Sequence, residues 1–290
     1  MKPAVSHSLI PILRMHQFTL MRSARIPLNI FCDTMTHTTT PEKIRTEALT
    51  LSLILALKGS PIGVKIVQAP GAPPFAGDQT PMRFCQALMR ARYGEKSIIT
   101  EENITCPAAA RAFGFKPLPE PLRTGKGLVG FGIVSDEKVA QHMFEGMTIL
   151  PLDSVRQLKI FPLDSADEVP DIIIIEDEPE RLMWIALSYL HAHGGKRVQG
   201  STAILQATCV DSCIIPFLEN RLNYGLGCYG CRDATDMGSG EAIIGFPADD
   251  LAAMVSHLEY LAKKALPHSR EKHAFGAFTK DHAGTGCASL

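Results

Sequence analysis

The sequence predicts an α/β or α+β fold, a mixed sheet covered by helices and built from strand–cap–helix units. Three stretches carry this prediction. Residues 129–134, then Ser135 and Asp136, then 137–147 read as strand, cap and helix. Residues 171–175, 176–178 and 179–191 repeat the order, as do 242–246, Pro247 and 248–264. The last two share a helix pattern, with Leu182, Met183, Leu187, Tyr189 and Leu190 matching Ala253, Met254, Leu258, Tyr260 and Leu261. That likeness reads equally as a decayed repeat or as chance agreement between amphipathic units. The run from Ile172 to Ile175 is wholly β-branched and belongs in the sheet centre, buried on both faces.

Taken in order, residues 1–40 carry little pattern and end in a threonine-rich run, so they read as a loosely ordered extension. Met21 and Met35 are alternative starts within it. Residues 41–275 read as one α/β-type domain and 276–290 as a tail. Pro41 and Glu42 open a helix that includes 44–57 and is stopped by Gly59, Ser60 and Pro61. Residues 62–67 read as a strand, and 69–81 as a loop dense in Pro and Gly. Phe84, Ala87, Leu88 and Ala91 give 82–93 helical spacing. Cys106 and Pro107 start a short helix to Ala112. Pro117, Pro119 and Pro121 then mark an extended linker ending at Gly125 and Gly127.

The chain has 290 residues, 46% hydrophobic and 20% charged, which is globular composition with ample material for a core. Its 29 Lys plus Arg nearly balance 30 Asp plus Glu, which argues against nucleic acid as the main partner. The longest apolar stretches, around 49–57 and 172–175, fall short of the ~20 residues of a membrane span. No secretory h-region precedes a small-residue cleavage site in 1–40. We therefore expect a cytoplasmic protein.

Eight cysteines are the first informative excess: Cys32, Cys85, Cys106, Cys209, Cys213, Cys228, Cys231 and Cys287. In a reducing compartment they are core residues, metal ligands or reactive thiols. The strongest local signal is Gly225-Leu226-Gly227-Cys228-Tyr229-Gly230-Cys231-Arg232. Two thiols two residues apart in a glycine-rich frame can point at one ion, while free amides bond the sulfurs. Together with Cys209 and Cys213, on one face of a helix expected over 202–217, they read C-x3-C-x14-C-x2-C. Cys209 and Cys213 also flank an apolar stripe and read as core. No helix signal begins at Cys231, which counts against a thiol-exchange pair. Cys106, just before Pro107 at a helix start, is favoured as a thiolate by free amides and the dipole; a buried cap-side cysteine is the other reading. Cys85 sits among Arg83, Arg90 and Arg92 on what reads as a solvated basic face.

Other signals are weaker. His191 and His193 end a helix before Gly194 and Gly195, a C-cap position. Glu176, Asp177 and Glu178 read as a solvated helix start. Residues 122–127 form a basic, flexible stretch without the strand–loop–helix frame of a phosphate loop. Zinc-protease, Walker and nucleophile-elbow patterns are absent from the sequence.

Several of these segments resemble the domain-of-unknown-function family numbered 169, the ArCR type. They are Arg83-Phe84-Cys85-Gln86-Ala87 with Ala91-Arg92, Cys106-Pro107, 127–132, 176–184, Ala207-Thr208-Cys209 and 226–232, in family order. The likeness spans about Ile44 to Phe275, and the resemblance implies no reaction. The expected function is an iron–sulfur cluster or other thiolate-bound metal, zinc included, with a redox or sensing role. The expected ligands are Cys106, Cys209, Cys228 and Cys231, with Cys209 preferred to Cys213, and a redox partner goes with that reading. The alternatives are a metal-free protein or thiol enzyme taking a small anionic ligand at Arg83 and Arg232, and a structural-zinc or interaction subunit. Whether the chain is an enzyme does not follow from its sequence.

Overall fold

The first helix, α1 (Pro41–Leu55), starts where the sequence sets it. Thr40 caps it by accepting from the Lys43 amide, Pro41 occupies the first turn, and Ala56 ends it in the left-handed region at φ 55°. The computed structural model describes residues 39–69 and 80–283. The extension expected over 1–40 therefore lies almost wholly outside the described residues, as do Cys32, Cys287 and most of the loop at 69–81. The described residues form one unit.

The elements follow as β1 (Ile62–Gln68), α2 (Phe84–Arg92), β2 (Ser97–Ile99), α3 (Pro107–Ala112), α4 (Glu120–Arg123), α5 (Lys126–Gly130), α6 (Glu137–Glu145), β3 (Val155–Pro162), β4 (Ile172–Asp177) and α7 (Pro179–Ala192). Then come a π-helix (Ala207–Ile214), α8 (Ile215–Glu219), β5 (Asn223–Gly225), α9 (Tyr229–Ala234), β6 (Ala242–Pro247), α10 (Leu251–Ala262), α11 (Ala265–Arg270) and α12 (His273–Ala283). Helix α12 crosses the 275/276 boundary where the sequence sets a tail.

The fold is a mixed α/β architecture around one six-stranded sheet of order β2-β3-β1-β4-β6-β5. All strand pairs are antiparallel, so the expected mixed sheet is corrected. The reason lies between the units β4–α7 and β6–α10. They do not follow one another directly; the π-helix, β5 and α9 intervene and return the chain reversed. The expectation for 172–175 holds. Ile172 and Ile174 enter the core on one face, Ile173 and Ile175 the core on the other, and all four are at most 2% exposed. The second face is covered by α1, α7 and α10, through residues such as Leu51, Trp184 and Met254. The first is covered by α2, α3 and the π-helix, through Phe84, Phe113 and Ile214.

One of the three strand–cap–helix units lacks its strand, although Asp136 caps α6 as expected. Residues 126–130 are helix α5, and 131–134 form turns, with Gly132 at φ 70°. Gly127, Gly130 and Gly132 leave this run few side chains to pack on a sheet. The linker expected to run to Gly127 is likewise helical in α4 and α5. Strands β2, β3 and β5 are absent from the sequence reading. Two are three residues long, and β3 places Arg156, Gln157 and Lys159 among its apolar residues.

Candidate functional site: a pocket lined by five thiols

Four separated segments meet at one pocket of about 70 Å³. Cys85 comes from the first turn of α2, Cys106 from just before α3, Cys209 from the π-helix, and Cys228 and Cys231 from the start of α9. Arg83, Phe84, Leu205 and Thr208 complete much of the wall. Helix α2 holds α9 in place from below. Arg83 Nη1 donates to the Gly230 carbonyl at 3.0 Å and Gln86 Nε2 to the Ala234 carbonyl at 3.3 Å.

The π-helix stops at a proline. Pro216 has no amide to continue the i→i+5 pattern to the Asp211 carbonyl, which instead accepts from Asn223 Nδ2 at 2.8 Å. The Ser212 hydroxyl bonds the Thr208 carbonyl at 2.6 Å. Gly245 of β6 lets the segment lie against the sheet, for a Cβ there would fall 1.8 Å from the Ser212 carbonyl oxygen. This replaces the regular helix expected over 202–217. Cys209 faces the pocket. Cys213, one turn on, is fully buried in the core and does not line it.

Inside the pocket, the Cys228 and Cys231 sulfurs are 2.7 Å apart, and the Cys231 amide donates to Cys228 Sγ at 3.2 Å. Thr208 Oγ1 lies 2.7 Å from Cys231 Sγ. Both cysteines are buried, at 8% and 3% exposure, not on the exposed or semi-exposed loop that the glycines suggest. They sit at a helix start, with Cys228 as the N-cap of α9, so the argument against an exchange pair is corrected. The glycine-rich frame had hidden a one-and-a-half-turn helix.

Every resolved thiol shift in the pocket is upward. Cys228 is raised by its hydrogen bond with Cys231 and then by burial. Cys231 is pulled down by the bond with Cys228 but carried up to about 12 by Cys85 beside it and by burial. Cys209 is raised by burial and then by the neighbouring Cys106, Cys228 and Cys231. At Cys106, burial outweighs the amides of Ala109 and Ala108 and pushes the thiol up, which fits the buried cap-side reading better than a free thiolate.

Of the two arginines picked out in the sequence, Arg83 lines the pocket. Arg232 does not; its guanidinium donates to the carbonyls of Gly238 (2.6 Å), Leu226 (2.6 Å) and Glu241 (2.8 Å) and staples the loop after α9. Cys85, expected on a solvated basic face, is instead buried and lines the pocket, and Thr208 was not among the expected site residues. A usable signal for Cys85 was its place at a helix start, shared with Cys106 and Cys228. Glu176 and Asp177, expected to be solvated, form the buried end of β4. Asp177 accepts from Lys58 N, Glu178 N and Arg181 Nη1, which sets the turn into α7. His193 caps α7 as expected.

As a donor set, five thiols suit a soft metal or an iron–sulfur cluster. One pair of them stands closer than a metal requires. Two ligands of one tetrahedral zinc stand about 3.7 Å apart when Zn–S is ~2.3 Å, and Cys228 and Cys231 are closer than that. Among the described residues, no three His, Cys, Asp or Glu are set to hold an ion.

A family model, described as uncharacterised ArCR, matches residues 50–257. The chain belongs to this family, DUF169. An uncharacterised protein of Methanocaldococcus jannaschii is 29% identical over 180 residues, which cover 61% of this chain and 76% of that protein. No solved structure matches the chain. Among the described residues of this DUF169 protein, no helix is long and apolar enough to cross a membrane.

Proposed function

We propose that this DUF169 protein carries a thiolate-bound metal centre, an iron–sulfur cluster, with Cys106, Cys209, Cys228 and Cys231 as ligands. The supporting observation is the convergence of five thiols from four segments on one small pocket with Cys213 left outside it. Thiols this crowded and buried stay protonated for want of positive charge, and a soft cation supplies it as the protons leave. Cys85 is then a fifth thiol beside Cys231, and Thr208 a hydrogen-bond donor to a ligand sulfur. When bound, the cluster supplies electron transfer or sensing. The chain's own residues exclude water, through Phe84 and Leu205, and hold the ligand loop, through Arg83 and Arg232.

The test is anaerobic purification with iron, sulfide and zinc measured per chain. Near-stoichiometric iron and sulfide are expected, lost on single Ser replacement of Cys106, Cys209, Cys228 or Cys231 and kept in Cys213→Ser. Zinc alone would replace the cluster by a structural ion, and neither metal would overturn the reading. A second reading rests on a separate observation. The 2.7 Å approach of Cys228 and Cys231 at a helix start suits a pair that cycles between dithiol and disulfide. Metal-free protein whose two thiols become unreactive to alkylation after mild oxidation would favour it.

A further inference from the structure

Away from the thiols, a cleft of about 380 Å³ opens where α7 ends. We propose that it binds a phosphate-bearing small molecule. One wall is the loop Gly194-Gly195-Lys196-Arg197-Val198-Gln199-Gly200. Gly194 and Gly195 take φ of 66° and 82° with open space where a Cβ would be, so the chain peels off the helix at once. The loop is then anchored at two points. Val198 packs against the core, and Gly200 lies under the Tyr224 ring, whose nearest carbon would be 2.4 Å from a Cβ.

The opposite wall is Arg221, held before any ligand arrives. Its Nη1 donates to the carbonyl of Gln199 at 2.7 Å, Asn223 Oδ1 at 3.0 Å and the Leu222 carbonyl at 3.2 Å, and its Nε to Glu219 at 2.6 Å. None of these bonds uses Nη2. Tyr189 and His193, stacked with centroids 4.1 Å apart, contribute an aromatic side.

The charge balance gives the sign of the ligand. Glu219 is paired with Arg221, and Asp250 with His193 Nε2 at 2.9 Å. Lys196 and Arg197 meet no carboxylate within ion-pair distance among the described residues. Two cations without partners and a pre-held guanidinium thus face one cleft. A fixed arginine fork with nearby point charges is the arrangement that recognises phosphate oxygens. The volume exceeds what bare phosphate fills, about a dozen waters' worth, and falls in the range of small-molecule sites. The near-neutral net charge disfavours a nucleic-acid strand, which needs a long basic track.

The experiment is isothermal titration of the full chain with inorganic phosphate, pyrophosphate and ATP at about 150 mM salt. ATP is expected to bind with Kd below about 1 mM and more tightly than inorganic phosphate. The double variant Lys196→Glu/Arg197→Glu is expected to weaken ATP at least tenfold with no change in melting temperature. Equal affinity in wild type and variant would overturn the proposal, as would binding of none of the three probes. Tighter binding of a single-stranded oligonucleotide than of ATP would overturn it in favour of nucleic acid.

Discussion

Replacing Glu176 by Gln should change how stability depends on pH. Glu176 is the penultimate residue of β4, with its side chain 3% exposed. Among the described residues its ionic partner is Arg92, whose Nη1 stands 3.6 Å from Oε2, too far for a hydrogen bond, and that Nη1 has no hydrogen-bond partner there. Asp236 and Glu241 share the same guanidinium and add negative charge. Burial therefore wins over Arg92 and lifts the carboxyl from 4.5 to about 7. The folded protein holds a proton that the unfolded chain has released. Stability from this group is complete below pH 4.5 and is lost as pH rises through about 7. At ~1.4 kcal/mol per pH unit, the full loss is about 3 kcal/mol. Glutamine cannot ionise, so its protein lacks this slope. Urea unfolding can follow the fluorescence of the single tryptophan, Trp184, which is buried beside α10. The stability of wild type minus that of Glu176→Gln should fall by about 3 kcal/mol between pH 4.5 and pH 8. A difference that stays flat across that range would show Glu176 to be fully compensated by Arg92 and would refute the reasoning.

Three further outcomes are expected. Gly245→Ala drives a Cβ to 1.8 Å from the Ser212 carbonyl, backbone against backbone, and should cost about 3 kcal/mol in chemical unfolding. Asn223→Ala removes a fully buried amide that joins Ser201 N and O, the Asp211 carbonyl and Arg221; the loss should be about 2–4 kcal/mol, with increased proteolysis of the 194–206 segment. Cys213→Ala leaves a small cavity in the core, which should cost about 1–2 kcal/mol by denaturant titration and leave the metal content of the protein unchanged.

Much of the scaffold was legible in the chain because its signals are local. Thr40 with Pro41, and the proline at Pro179, mark helix starts whatever surrounds them. The four isoleucines at 172–175 can only be a doubly buried strand, because no solvated face suits them. Val129, Phe131, Ile133 and Val134 made 129–134 look like a strand, but Gly130 and Gly132 leave the run little side-chain surface to pack on a sheet. The pairing direction was not legible, because it depends on what lies between β4 and β6.

The candidate site divides the same way. Sequence alone singled out Cys228 and Cys231 by spacing, and Cys106 by the proline after it. The helix at Cys228 escaped notice because Gly227 and Gly230 weaken its propensity, while Arg83 and Gln86, from almost 150 residues away, hold it in place. Tertiary structure alone decided which thiols share a pocket. Cys85 joins because α2 packs beneath α9, and Cys213 is excluded because the π-helix runs into the core at Gly245. It also pushes the Cys106 thiol up where a helix start by itself would lower it. A helix start lowers a thiol pKa where the thiol is well hydrated, but at Cys106 the partial burial in the pocket outweighs the amides. Residue type and spacing are written in the chain, whereas burial, and with it the charge on each thiol, is a property of segments that meet only on folding.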